Sequence, residues 1–369
     1  MVAEAHWILD RGSGLDVPLR ALSSHRQTGV IMRATRFFLF AALVVVCSMQ
    51  FAWPQLPQPD GGNIRPGVLP RQWMTGGPKC MENQEWQVHE YNRDLYILRQ
   101  SGCTDFEKPF VYLLFGEERA LLLDTGSRKG NLVPTLQRTV KNWLQRTGRE
   151  TIPLVVVHTH SHSDHVAGDA NVQAMHDPAI PVNLVPAELE ATKRFYKIAN
   201  WPDEISQIDL GNRQIDVIPI PGHDSVAVAL YDRQTAILFS GDNLYPGRLY
   251  VRDFAVFQKS TERMIQFTEG KAVAHILGNH IEETRTPYLD YPVGTMYQSN
   301  EHELSLSKGA LLELEEGLLA LHGKPARVAL RDFTIWPAGP AYDPSNATQA
   351  VFEKTEKQQR DHMWDQPQD

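Results

Sequence analysis

Four histidines and an aspartate fall within eight residues, His158-Thr-His-Ser-His-Ser-Asp-His165, directly after the apolar run Ile152-Pro-Leu-Val-Val-Val157. A short continuous run of this kind reads as a strand buried on both faces, as in sheets covered by helices. The loop leaving the carboxyl end of such a strand is where open α/β sheets place ligands. Imidazole nitrogens and carboxylate oxygens are ligands for first-row metals, with zinc the commonest for this mixture. Residues two apart in extended chain point the same way. His160 and His162 therefore reach one metal together. Asp164 and His165 follow as the chain turns into a helix and face a second. A histidine-rich surface loop is the bland alternative, and the position at the end of a buried strand argues against it.

One loop cannot close two metal sites, so further ligands are expected at later strand ends. They recur in Ile218-Pro-Ile-Pro-Gly-His223, Ile237-Leu-Phe-Ser-Gly-Asp242 and His275-Ile-Leu-Gly-Asn-His280. Around these motifs, strand signals are found near Trp86 and at Leu95–Leu98, Phe110–Phe115, Ala120–Leu123, Val182–Val185, Ile215–Ile220, Val226–Tyr231, Ala236–Phe239 and Ala272–Leu277. Apolar residues at helical spacing mark helices over Asn131–Arg146, Pro186–Tyr196, Thr261–Thr268 and Leu304–Leu321. Val328–Trp336 reads as a last strand. Strands with interspersed helices indicate the α/β class.

The run His160-Ser-His162-Ser-Asp164-His165 resembles the HxHxDH motif of the metallo-β-lactamase superfamily. His223, Asp242 and His280 match that family's later ligand motifs in chain order, and Leu121-Leu-Leu-Asp124-Thr-Gly126 matches its early Asp-Thr/Ser-Gly strand end. The resemblance covers roughly residues 86–281. It implies a four-layer αββα sandwich with the metal site at one edge, here followed by a mixed C-terminal extension. It places His160, His162 and His223 on one zinc and Asp164, His165 and His280 on a second, bridged by Asp242, with manganese or iron as alternative metals. Asp124, His158 and Asp224 become residues that hold the ligands in place. A bridging carboxylate resembles the glyoxalase II and lactonase branches, whereas β-lactamase branches carry Cys or Ser near there. In lactonase-like members a tyrosine near the metals supports the oxyanion. Tyr245 is assigned that role and Tyr250 the pocket wall, although either could serve. Tyr288, Tyr291 and Tyr297 are placed at the entrance by their closeness to His280, with Arg285 as a weaker anion-anchoring candidate.

The organisation outside the catalytic region follows from composition. Arg33 and Arg36 precede the uncharged run Phe37–Ala52, which reads as a secretory signal peptide starting at Met32, with an N-terminal membrane anchor as the other reading. The expected order is a leader over 1–52, a Pro- and Gly-rich lead-in over 53–80, the catalytic domain over 81–281, the extension over 282–336 and a polar tail over 337–369. Export to the periplasm or medium permits a Cys80–Cys103 disulfide. The net charge of −8 provides no basic footprint for nucleic acid. The expected partner is a small molecule, with no membrane association once the signal is removed. The expected activity is a dinuclear zinc hydrolase, in which a metal-bridged hydroxide attacks an ester, lactone or thioester carbonyl. Asp164 would orient that hydroxide and carry its proton. The competing readings are hydrolysis of β-lactam amides, hydrolysis of phosphodiesters or sulfate esters, and non-catalytic metal binding.

Overall fold

The computed structural model describes residues 64–74, 84–127 and 130–338, all within a unit spanning Gln55–Asp369. The leader, the Met32 start and Cys80 lie outside the described residues, as does the tail from 339. Among the described residues, no helix is long and apolar enough to cross a membrane.

Two six-stranded sheets form the centre. The first runs in order β1 (Trp86–Asn92), β2 (Leu95–Gln100), β3 (Phe110–Phe115), β4 (Ala120–Leu123), β5 (Leu154–Val157) and β6 (Val182–Leu184). Its first four strands are antiparallel neighbours, and β4, β5 and β6 are parallel. α1 (Val133–Thr147) supplies the crossover from β4 to β5. It begins with a proline in its first turn and ends at Gly148 in the left-handed conformation, the usual signals of helix start and stop. Two short helices follow β5, α2 (Ser163–Val166) and α3 (Asp169–Gln173), and α4 (Leu189–Tyr196) follows β6.

The second sheet uses β7 (Ser206–Asp209), β8 (Gln214–Pro219), β9 (Val228–Asp232), β10 (Ile237–Gly241), β12 (His275–Gly278) and β13 (Ser305–Leu306). Between β10 and β12 the chain forms β11 (Arg248–Val251) and α5 (Phe254–Thr268). After β13 come α6 (Gly309–Ala320), β14 (Val328–Ala329) and β15 (Thr334–Pro337).

Apolar side chains from the facing sheets, among them Leu121, Leu123, Val155 and Val157 against Val217, Leu230, Phe239 and Leu277, make the central core. The outer face of the first sheet packs on α1 through Leu136, Val140 and Trp143. The outer face of the second packs on α5 and α6 through Phe257, Met264, Leu311 and Leu314. The architecture is the expected αββα sandwich of the α/β class. The near-continuous burial of β2 to β5, β9 and β10 explains it, since a strand apolar on both faces needs cover on both sides.

Four local expectations need correction. α5 begins at Phe254, two turns before the expected Thr261, because the Asp253 side chain caps it by accepting from the Val256 N–H at 3.0 Å. The helix expected from Leu304 starts only at Gly309, because Leu304 and Leu306 are buried on either side of Ser305 as the chain pairs with β12. β7 and β11, four residues each, are too short for an apolar pattern to mark them in the sequence. Finally, the extension is woven into the domain: β15 pairs in parallel with β11, and Pro337 belongs to that strand, not to the tail.

The lead-in residues 64–74 form no regular element, but they are anchored. Arg65 N–H donates to the Gln234 carbonyl at 2.7 Å, and Trp73 is buried edge-on against Phe110. Cys103 is disulfide-bonded. The segment after β12 is tied back to the first sheet by Arg99 of β2, whose guanidinium makes a two-pronged pair with Glu301 at 2.7 and 2.5 Å, both side chains buried. Removing one partner leaves an uncompensated buried charge. Glu301→Ala should therefore cost about 3–5 kcal/mol in a urea melt, and a loss under 1 kcal/mol (about what a surface pair contributes) would contradict this account.

Candidate metal centre

Every expected ligand sits at the carboxyl end of a strand or just beyond it. The chain leaves β5 at Val157, and His160 and His162 lie in the extended segment before α2, which carries Asp164 and His165. His223 follows β8, Asp242 follows β10 and His280 follows β12. The His223 loop can approach this closely because Gly222 adopts φ +132°, and a Cβ there would stand 2.5 Å from the Phe257 Cα.

The seven side chains gather into two groups, His160–His162–His223 and Asp164–His165–Asp242–His280. In the first group, His160 Nε2 lies 3.0 Å from His162 Nδ1 and 3.3 Å from His223 Nε2, and the last two nitrogens are 3.0 Å apart. The remaining nitrogens define the tautomers. His223 Nδ1–H donates to the Tyr250 carbonyl at 2.7 Å. His160 Nδ1 lies 3.1 Å from Thr159 Oγ1, whose own proton goes to Asp124 at 2.8 Å, so the hydroxyl accepts from the imidazole. Two nitrogen lone pairs therefore point at one spot together with His162 Nδ1. Nitrogens on a tetrahedral zinc with bonds of 2.0–2.1 Å stand about 3.3 Å apart, so the donor set fits a cation of that kind.

In the second group, His165 Nε2 and His280 Nε2 are 3.4 Å apart, and Asp164 Oδ2 lies 3.0 and 3.1 Å from them. Their Nδ1–H groups donate to Asp124 at 3.0 Å and to the Glu107 carbonyl at 2.9 Å. One oxygen faces both groups. Asp242 Oδ2 lies 3.4 Å from His280, 3.6 Å from His165, 3.7 Å from His223 and 3.9 Å from His160, each at Nε2. Asp242 Oδ1 is buried with no hydrogen-bond partner among the described residues.

Charge separates the groups. Burial pushes His223 down to about 4, drives His160 well below its ordinary value and lowers His162. Burial opposes charge at His165 and His280 too, but there Asp164 and Asp242 outweigh it, helped at His165 by Asp124, and both rise well above the usual imidazole range. Against the same burial, Asp164 and Asp242 are held well below theirs by the imidazoles around them.

The other expected residues divide. Asp124 is wholly buried and positions the cluster. Its Oδ1 accepts from Thr159 N–H at 2.7 Å, and its Oδ2 accepts from Thr159 Oγ1, His165 Nδ1 and Asn279 Nδ2 at 2.8–3.0 Å. His158 lies outside both groups and pairs with Asp169 at 2.9 Å. Asp224 accepts from Ser161 Oγ and Val226 N–H, both at 2.8 Å, and stands 3.7 Å from His162 Nε2, too far for a hydrogen bond.

The tyrosines require correction. Tyr245 is buried edge-on to His280, but its hydroxyl donates to the Arg248 carbonyl, so its one proton is not aimed at the cluster. The Tyr250 hydroxyl accepts from Arg248 Nε at 3.1 Å and donates to no group among the described residues. Tyr288 faces solvent and Tyr297 is exposed. The Tyr291 hydroxyl accepts from Asn300 N–H at 2.7 Å, an anchor for its own loop. Arg285 donates to the Glu301 and Arg71 carbonyls.

Sequence reasoning missed Glu107, whose carbonyl holds His280 and whose carboxyl is pushed up to about 8 by burial and by Asp164. No signal marks it, since it lies in the loop between β2 and β3 and makes its contact through the backbone. Asn279 was equally unassigned, although it stands next to His280.

The metallo-beta-lactamase superfamily pattern matches residues 104–317, more than half the chain. An acyl-coenzyme A thioesterase, MBLAC2, from Homo sapiens is 28% identical over 234 residues, covering 54% of this chain and 83% of the relative. The Bos taurus protein of the same name is 26% identical with the same coverage. A hydroxyacylglutathione hydrolase from Yersinia enterocolitica is 28% identical over 44% of this chain and 59% of its own length. A solved metallo-beta-lactamase from Pontibacter korlensis is 18% identical, with a TM-score of 0.43, covering 63% of this chain and 99% of its own.

Two outcomes follow. Raised imidazoles hold protons at neutral pH, and a cation must displace them, so affinity at the second group falls as pH drops. Dialysis at about pH 5.5 should strip that group first while the three-histidine group, with its lowered imidazoles, keeps its metal, as metal-content mass spectrometry would show. Asp124→Asn keeps a residue that tolerates the positive φ of 69° there but removes the charge that holds His165. It should weaken zinc binding about 10- to 100-fold in chelator competition.

Proposed function

Because the chain belongs to the metallo-beta-lactamase superfamily and is a metal-dependent hydrolase, we propose that it is a dinuclear zinc enzyme that hydrolyses thioesters outside the cytoplasm. The observation that carries the two-metal reading is Asp242 Oδ2, within 3.9 Å of two imidazole nitrogens from each group. A carboxylate oxygen in that position would serve cations held by both groups, and the nitrogen and oxygen donor mixture favours zinc. Thioesters are chosen over oxygen esters and lactones because the relatives with acyl-coenzyme A and hydroxyacylglutathione names act on that bond.

Bound divalent cations would polarise the acyl carbonyl and make water a nucleophile near neutral pH. The chain's own residues do the rest. Asp164 keeps part of its side chain open to solvent, orients the attacking water and takes its proton toward the departing sulfur. Water oxygen replaces sulfur on the acyl carbon; one of the water's protons goes to the sulfur and the other to solvent, leaving a carboxylate and a thiol. Burial holds the Tyr250 phenol protonated and its hydroxyl donates to no group among the described residues, so on this reading Tyr250, not Tyr245, would give its proton to a substrate oxygen. The basic-then-apolar stretch at Arg33–Ala52 and the disulfide-bonded Cys103 support an exported, oxidising setting.

The test is metal content together with initial rates on an acyl-coenzyme A, a glutathione thioester, a lactone, an aryl ester, a chromogenic cephalosporin and an aryl phosphodiester. Two zinc per chain and chelator-sensitive thioester turnover are expected, with Asp164→Asn lowering kcat about 10²- to 10⁴-fold. Turnover of the cephalosporin with none of the thioesters would overturn the assignment.

A further inference from the structure

A second constellation lies at the other end of the strands that carry the metal centre. β4 reaches the cluster at Asp124; traced back to Ala120 it has run about 13 Å. There the turn between β3 and β4 is knitted to the turn between β7 and β8, with Glu117 N–H donating to the Gly211 carbonyl at 2.8 Å and Glu118 N–H to the Leu210 carbonyl at 2.9 Å. Beside these turns and the end of α1 is an open cavity of about 380 Å³.

Five arginines line it, Arg65, Arg93, Arg146, Arg149 and Arg213, with no lysine and only Asp94 and Glu117 as lining carboxylates. Arg213 is a buried, satisfied floor, paired with Asp232 and donating to the Asp94 and Phe115 carbonyls. Arg146 is taken by Glu90. Asp94 already accepts from Arg65 at 2.9 Å and Trp143 Nε1 at 3.0 Å, leaving Arg93 3.7 Å away from it. Glu117 accepts from Asn212. Arg149 donates to the Glu117 carbonyl at 2.5 Å and lies over the Trp143 ring, 5.7 Å from its centroid, but has no carboxylate partner among the described residues. Arg65 and Arg93 thus share the single Asp94 carboxylate, at 2.9 and 3.7 Å, and Arg149 has none, so the cavity rim carries more guanidinium than carboxylate charge.

We propose that this cavity binds a phosphate-chain anion, with pyrophosphate as its smallest unit, either free or as part of a nucleoside diphosphate. A guanidinium fork matches a phosphate edge with two parallel hydrogen bonds, a fit that lysine lacks. Charge spread over Arg65, Arg93 and Arg149 suits a ligand carrying charge on more than one phosphorus. The metal chemistry does not enter the argument, so this site stands or falls separately from the thioesterase reading.

The experiment is calorimetric titration of the zinc-loaded full chain with pyrophosphate and, separately, with adenosine diphosphate, at low and high salt. Salt-sensitive binding is expected, weakened at least about tenfold in Arg93→Gln/Arg149→Gln, with the ligand-free melting temperature and the thioesterase rate unchanged. Equal affinity for the two ligands assigns the site to the phosphate chain alone, and tighter adenosine diphosphate binding adds a held nucleoside; both support the proposal. Pyrophosphate also binds metals, so Asp242→Asn is titrated in parallel. Binding lost in that variant but kept in the double arginine variant places the anion at the metal centre and overturns the proposal. So does the absence of binding at millimolar ligand.

Discussion

The Asp124 carboxylate is the point on which the rest depends. It is wholly buried, at a positive φ, and its two oxygens accept four hydrogen bonds. Two come from Thr159 in the loop after β5, one from His165 in α2 and one from Asn279 after β12. Those donors belong to both sheets. One charge thus joins the edges of two layers and sets the tautomer of a ligand imidazole. A buried carboxylate is tolerated only when fully hydrogen-bonded, and satisfying this one brings the strand ends together.

The metal cluster then has an electrostatic logic of its own. Three imidazoles with lone pairs aimed at a common spot repel one another unless a cation stands between them. Three carboxylates around His165 and His280 hold positive charge, proton or metal, in a place where burial disfavours it. Both groups are therefore incomplete without a positive charge, and Asp242, facing both, couples them. His223 and His280 are held instead by backbone carbonyls, those of Tyr250 and Glu107, which orient rings without adding charge.

The arginine cavity shows the same economy at the opposite end of the strands. Buried Arg213 is fully paired, whereas Arg149, at the rim, is left without a carboxylate. A fold that satisfies its buried charges and leaves a rim of guanidinium exposed has a surface suited to an anion.

The ligand positions were legible from the chain alone because each follows a recognisable strand end, and strand ends on one edge of an αββα sandwich converge. The apolar runs around Leu121, Val155, Ile218 and Phe239 sufficed for the layers, since strands buried on both faces are nearly uniformly apolar. What the chain alone could not convey was direction. Tyr245 and Tyr250 are five residues apart in one motif, yet one hydroxyl donates to the Arg248 carbonyl while the other accepts from Arg248 Nε and keeps its proton, on a strand held by pairing with the distant β15. Glu107 supports His280 through a carbonyl that every residue has, so no residue type signals it. Ligand identity is written in side-chain chemistry and strand period, which are local. Which hydroxyl, carbonyl or guanidinium remains unpaired is a sum over distant neighbours, and only the tertiary structure performs that sum.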